Sequence, residues 1–178
     1  MSPEKTSMIS IGKMVDVDAI VQLTKDCGQH MRDNGIDQWD EHYPNIEVIM
    51  HDIQTETLFT YRKNDEVLGI IVLNDSQDEE YKEINWSTSD EDRNIVVHRL
   101  AVHPTQQGKG IGRMLMDFAE KWAKDHNYDA IRLDTYSQNP RNQKFYMNRG
   151  YKDLGSVFLK YKKTHPYYCY ELVLNNKP

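Results

Sequence analysis

Apolar and polar positions alternate along this chain with two different periods. Met8–Met14 has apolar Ile9 and Ile11 two apart and predicts a short strand. Asp16 or Asp18 then offers a helix cap, and Ile20, Leu23, Cys27 and Met31 recur at helical spacing until Asn34-Gly35 ends the run. Residues 36–45 carry Trp39, Tyr43 and Pro44 without a period and predict an aromatic loop, with a second helix over Pro44–Gln54. Leu58–Arg62 and Val67–Leu73 are β-rich and separated by Lys63-Asn64-Asp65-Glu66, the pattern of a hairpin. Tyr81–Trp86 reads as a further strand, as do Ile95–Val102, which Pro104 ends, and Ala130–Tyr136. A helix is predicted from Gly112 to His126, with Leu115, Phe118, Ala119 and Trp122 on its apolar face. Asn139 and Pro140 suit the cap and first position of a short helix closed by Gly150, and Val157–Tyr161 and Tyr168–Leu174 complete the strands. Strands outnumber the helices that interrupt them, so the class is α/β or α+β with a mixed sheet.

Composition changes this picture in only a few places. A chain of 178 residues suits one domain over 1–178, and neither a repeat nor a Pro/Gly/Ser linker divides it. The net charge of −6 argues against nucleic acid or an anionic membrane as partner. No apolar run approaches the ~20 residues that span a bilayer, and the polar start Met1-Ser2-Pro3-Glu4-Lys5 is unlike a signal peptide. Cys27 and Cys169 are too few and too far apart for a disulfide framework, which leads us to expect free thiols in a cytoplasmic protein. No His/Cys/Asp cluster has metal-ligand spacing, so no metal is expected. Asp75 to Asp92 holds eight acids against one lysine, a solvated loop or a field that favours a cationic ligand.

The clearest chemistry lies in Gln106-Gln107-Gly108-Lys109-Gly110-Ile111-Gly112, between a strand and a helix. Glycine-rich turns there gather backbone N–H groups at the positive end of the helix dipole, a place that binds phosphate. A P-loop would need Gly where His103 stands and Ser or Thr where Gly110 stands. A dinucleotide fingerprint would need Gly where Arg113 stands. What remains is Gln107, Gly110 and Gly112 in a Gln-x-x-Gly-x-Gly pattern.

This loop, with its lead-in His98-Arg99-Leu100-Ala101-Val102-His103-Pro104, resembles the pyrophosphate loop of the GNAT superfamily of acetyl-CoA-dependent N-acetyltransferases. The run from Asn139 through Tyr146 to Gly150-Tyr151 is similar to that family's other signature. The resemblance implies a mixed, mostly antiparallel central sheet with helices on both faces, whose central parallel strands splay around acetyl-CoA. It places the pantetheine along Leu100, Ala101 and Val102 and against Asn139. The pyrophosphate falls on Gln107, Gly108, Lys109, Gly110, Ile111 and Gly112, and Asn142 and Phe145 complete the cofactor set. Gln107 stands where many relatives carry Arg, and Asn142 where a small residue is common.

The resemblance further implies direct attack of a primary amine on the thioester in a ternary complex, with the carbonyl polarised by an N–H near Val102. Tyr146 is the candidate general acid, since a phenol can protonate the departing thiolate; Phe145 is assigned inward and Tyr146 toward the sulfur. His98 is the candidate base, because strand alternation puts it on one face with Leu100 and Val102. Glu83, or a water relay to another carboxylate, would serve in its place. Trp39, Tyr43 and Trp86 are candidates for the acceptor wall. A non-catalytic acyl-CoA-binding module with this fold is the alternative. The acceptor, the acyl preference and homodimer formation are left open.

Overall fold

The structure, a computed structural model, describes residues 7–174. The chain divides into two compact units: residues up to Leu73 together with His98–Ala119, and Asn74–Val97 together with the residues from Glu120 on.

In the first unit β1 (Ser7–Ile11) pairs antiparallel with β2 (Leu58–Lys63), which pairs antiparallel with β3 (Glu66–Asn74). The hairpin between β2 and β3 turns on Asn64 and Asp65, both at positive φ (52° and 64°), the two-residue geometry that matches strand twist. Next in sheet order comes β4 (Asn94–Val102), whose second half belongs to this unit. Helix α1 (Val17–Asp33) sets Ile20, Leu23 and Cys27 against Ile49 and Ile53 of α2 (Ile46–Gln54) and against Leu58, Ile70 and Val72 of the sheet. Five of these, Ile20, Ile49, Leu58, Ile70 and Val72, are 0% exposed, each burial worth ~1.5–3 kcal/mol. Gly69 is small of necessity: a Cβ there would lie 3.0 Å from Leu115 of α3 (Ile111–Asp125) and 3.2 Å from the Ala101 carbonyl.

In the second unit the first half of β4 runs parallel to β5 (Ala130–Tyr136). Helix α4 (Pro140–Asn148) follows, and β6 (Lys152–Leu159) and β7 (Lys162–Val173) form a hairpin with β7 antiparallel to β5. The guanidinium of Arg132 is wholly buried; it pairs with Glu171, donates to Gln77 and Thr88, and lies 4.5 Å from the Trp86 ring. The architecture is thus a mixed, mostly antiparallel sheet flanked by helices, as expected.

Several elements differ from the periodic reading. Tyr81–Trp86 is not a strand: Glu79–Glu83 form a 3-10 turn, and Tyr81 and Ile84, three apart, are the buried positions. A spacing of three fits one face of a helical turn and no face of a strand. The first strand ends at Ile11, and Met14–Asp16 form another 3-10 turn. Asp16 occupies the helix cap without capping; its carboxylate accepts from the Lys13 N–H and pairs with Arg62. The second helix starts at Ile46, where Asn45 accepts from the Val48 N–H. Both final strands are longer than expected, because β7 alternates over its whole length between β5 and β6.

Candidate active site

The glycine loop falls in the first unit, where Pro104–Gln106 form a 3-10 turn after β4 and α3 begins at Ile111. Gly108 and Gly110 have φ of 77° and 88°, and a Cβ added to either meets nothing within 4 Å. The glycines are therefore not needed for packing. They hold a left-handed backbone just before α3, whose first-turn N–H groups have no intrahelical acceptor. A turn of this kind at a helix start is a general type of phosphate site. Lys109 adds a cation, with its ammonium 3.2 Å from Gln106 Oε1. The Gln107 side chain turns back to donate to the Val102 carbonyl at 3.2 Å, so it offers the loop its backbone and not its amide group.

The Val102 carbonyl also accepts from the Cys27 thiol at 3.1 Å, and burial pushes that thiol's pKa up to about 12. Cys27 is therefore a packing group rather than a nucleophile. Arg99, next to His98, has φ of 42° in mid-strand. A left-handed residue locally disturbs the regular pleat of a strand, here between His98 and Leu100. Ala101 is buried while His98, Leu100 and Val102 are each half-buried. The Arg99 side chain donates to both oxygens of Asp52 at 2.7 and 2.8 Å and to the Tyr43 hydroxyl at 2.9 Å. Sequence reasoning missed this bidentate pair, because the partners stand 47 residues apart with no local signal.

Of the aromatic wall, Trp39 is buried in the core and Tyr43 is held by Arg99. Tyr43 also lines a pocket of about 360 Å³ with Thr24, Gln29, Arg32, Asp40 and Pro44. Trp86 is a packing residue: its ring lies under Arg132, and its Nε1 donates to the Tyr81 carbonyl. Glu83 is exposed on its turn.

The second motif lies in the second unit. Asn139 is buried and caps α4 through the Asn142 N–H at 3.2 Å, while the Asn142 amide reaches Thr135 Oγ1 at 3.3 Å. The two aromatics after them exchange the burial expected of them: Tyr146 is buried, against Tyr151 and Tyr170 at 6.0 and 6.1 Å between ring centroids, and Phe145 is half-buried. The Tyr146 hydroxyl has no hydrogen-bond partner among the described residues. Burial, and then the charge of Asp134, hold its pKa above the ordinary phenol value. A second missed feature is Asp134 itself, whose Oδ2 accepts from the Tyr81 hydroxyl at 2.6 Å. Burial lifts the Asp134 carboxyl to about 6. Among the described residues no group of His, Cys, Asp and Glu is arranged to hold a metal.

The first unit holds a glycine turn at a helix start, and in the second unit the β4 and β5 segments run parallel. Residues 18–151 match the acetyltransferase (GNAT) family, and the chain belongs to that family. It is 25% identical over 143 residues to the uncharacterized N-acetyltransferase YesJ of Bacillus subtilis, covering 79% of each chain. It is 34% identical over 70 residues to the streptothricin acetyltransferase of Escherichia coli, 39% of this chain and 40% of that one. The fold is shared with Salmonella typhimurium yncA, solved with its cofactor acetyl-CoA, at a TM-score of 0.71, 16% identity and coverage of 96% of this chain and 95% of that one.

Proposed function

We propose that this protein is an N-acetyltransferase that moves the acetyl group of acetyl-CoA to a primary amine by direct attack in a ternary complex. The observation that carries the reading is the open glycine cradle at the start of α3, which suits the pyrophosphate of coenzyme A. Gly108, Lys109, Gly110, Ile111 and Gly112 hold that pyrophosphate, with the Gln107 backbone, and the strand segment Leu100–Val102 pairs with the pantetheine. Asn139, Asn142 and Phe145 are assigned to the same ligand. The yncA complex supports acetyl-CoA as the donor, and the partial likeness to a streptothricin acetyltransferase supports acetyl transfer to a separate acceptor. A cytoplasmic location belongs to the same proposal, supported by two free, buried thiols.

Chemically, the amine nitrogen forms a C–N bond to the thioester carbonyl carbon, the C–S bond breaks, and the thiolate leaves. Tyr146 supplies its proton. A phenol with a raised pKa stays protonated throughout the working pH range and gives up its proton only as thiolate charge develops fully. For the base, His98 and a carboxylate are the two alternatives.

The test is thiol release from acetyl-CoA across a panel of primary amines, with the acetylated product identified by mass. Release that depends on the amine is the expected result. Binding of acetyl-CoA with no release for any amine would turn the reading into that of a non-catalytic module.

A further inference from the structure

In the second unit Asp134 is a part-buried carboxylate bonded to a hydroxyl and, among the described residues, not to a cation. Asp16, Asp52, Glu120 and Glu171 are each paired with an arginine: Arg62, Arg99, Arg149 and Arg132. Asp134 has no such partner among the described residues. Arg132, the nearest cation on its own strand, is spent on Glu171, Gln77 and Thr88. The groups facing Asp134 from neighbouring elements are neutral or acidic. Tyr81 donates to it from the 3-10 turn and Asp78 adds like charge from the same segment. Cys169 stands opposite it on β7, and Tyr146 of α4 feels its charge from across the strand. Leaving a half-buried carboxylate uncompensated costs stability, and such groups concentrate at functional sites.

Its placement suits a proton acceptor. The parallel ladder of β4 and β5 is confined to three pairs and ends at Val96 with Arg132, two residues before Asp134. Along β5, Leu133 and Thr135 face the side that α4 covers, since Thr135 bonds Asn142 and Leu133 sits opposite Tyr170, which packs on Tyr146. Asp134 projects to the other side. Tyr146 and Asp134 thus address the same stretch of β5 from opposite faces, within electrostatic reach of each other.

We propose that Asp134, held by the Tyr81 hydroxyl, is the base that deprotonates the acceptor ammonium, and that Tyr81 is its positioning residue. The inference rests on the acetyltransferase reading. The carboxylate takes one proton from R–NH3+, the neutral amine attacks, and the thiolate leaves with the proton of Tyr146. The second nitrogen proton returns to the Tyr146 phenolate, and Asp134 releases its own to solvent. The balance is R–NH3+ plus acetyl-CoA giving the acetamide, free coenzyme A thiol and one proton. An Asp lifted to about 6 is a stronger base than an ordinary carboxylate and remains ionised at neutral pH.

The experiment measures kcat/KM against pH with lysine methyl ester, spermidine and an alanine-terminated peptide as acceptors, for wild type, Asp134→Asn, Tyr81→Phe and His98→Gln. Wild type is expected to show an acidic limb near pH 6, well below the ordinary titration of an aliphatic amine at about 10 and unchanged by the acceptor. Asp134→Asn should lose that limb and about 10²-fold or more in kcat/KM, while the acetyl-CoA thermal shift is retained. Tyr81→Phe removes a hydrogen bond that lowers the carboxyl's pKa, so the limb should move to higher pH; a structural role for Tyr81 would leave it in place. Should Asp134→Asn fail to fold, the Tyr81→Phe shift and a 13C titration of labelled aspartate carboxyls decide alone. Near-wild-type turnover by Asp134→Asn, a limb unmoved in Tyr81→Phe, or a limb lost in His98→Gln instead overturns the proposal. A wild type that binds acetyl-CoA yet releases no thiol with any acceptor overturns the transferase reading itself, a result distinct from active wild type matched by active Asp134→Asn.

Discussion

Two buried residues set the chemistry expected at the smallest scale. Tyr146 has its ring packed among other tyrosines and its hydroxyl without a partner among the described residues, an arrangement that packing alone does not require. Tyr146→Phe keeps the ring and removes only the acid. It should lower kcat toward ~10²-fold, the low end of general-acid effects, because so weak an acid protonates the thiolate late. Steady-state kinetics beside an acetyl-CoA thermal shift, which should not change, checks this. Asp52 gives a contrasting residue-scale expectation. Its bidentate bond to Arg99 is nearly solvent-free, with side-chain exposures of 3% and 12%. Asp52→Ala leaves a buried guanidinium unpaired and should cost ~3–5 kcal/mol by urea unfolding. The double change with Arg99→Met should recover a large part of that.

At the scale of elements, the loop from His103 to α3 joins packing to function. His103 caps the 3-10 turn through the Thr105 N–H, and the turn delivers the chain to Gly108 and Gly110 in the left-handed region. An L-residue at Gly110 is strained by its φ of 88° but meets no atom, so the helix behind it should still form. Gly110→Asp adds strain and a negative charge in the anion cradle. It should abolish the acetyl-CoA thermal shift while the far-UV circular dichroism of the apo protein stays unchanged. Retention of the shift would remove the loop from the site. At α4, Asn139 is both cap and assigned ligand contact; Asn139→Ala should cost ~1 kcal/mol through the cap alone.

The whole molecule responds to ligand and to pH. Acetyl-CoA at 100 times its Kd should stabilise the folded chain by ~2.7 kcal/mol through mass action, read as a rise in Tm. The pH response follows from Asp134. Its carboxyl is raised from 3.8 to about 6 on folding, so between those values the folded chain binds more protons than the unfolded one. Stability from this group is therefore highest in acid and falls as pH rises through about 4 to 6, with the loss complete above. Asp134→Asn, which does not ionise, should gain stability relative to wild type on going from pH 4.5 to pH 7.5 in urea titrations. An unchanged difference between the two pH values would show that Asp134 ionises as freely folded as unfolded.

Much of this was legible before any fold was known. The helices over Val17–Asp33 and Ile111–Asp125, the strand Ala130–Tyr136, the hairpin at Asn64-Asp65 and the Asn139-Pro140 helix start are short-range features. Each is specified by period, cap or turn chemistry within a dozen residues. The glycine loop was legible for the same reason, since its geometry comes from the φ freedom of two residues and one helix start. What the tertiary structure alone decided depends on distance in the sequence. Arg99 finding Asp52, Arg132 finding Glu171, Tyr81 finding Asp134 and the exchange of burial between Phe145 and Tyr146 leave no periodic trace. The left-handed Arg99 in mid-strand likewise left no local signal, because a non-glycine residue gives no warning of positive φ. Burial, pKa and facing partner are properties of the packed chain, set by which segments share a low-dielectric interior, and local patterning carries no information about that.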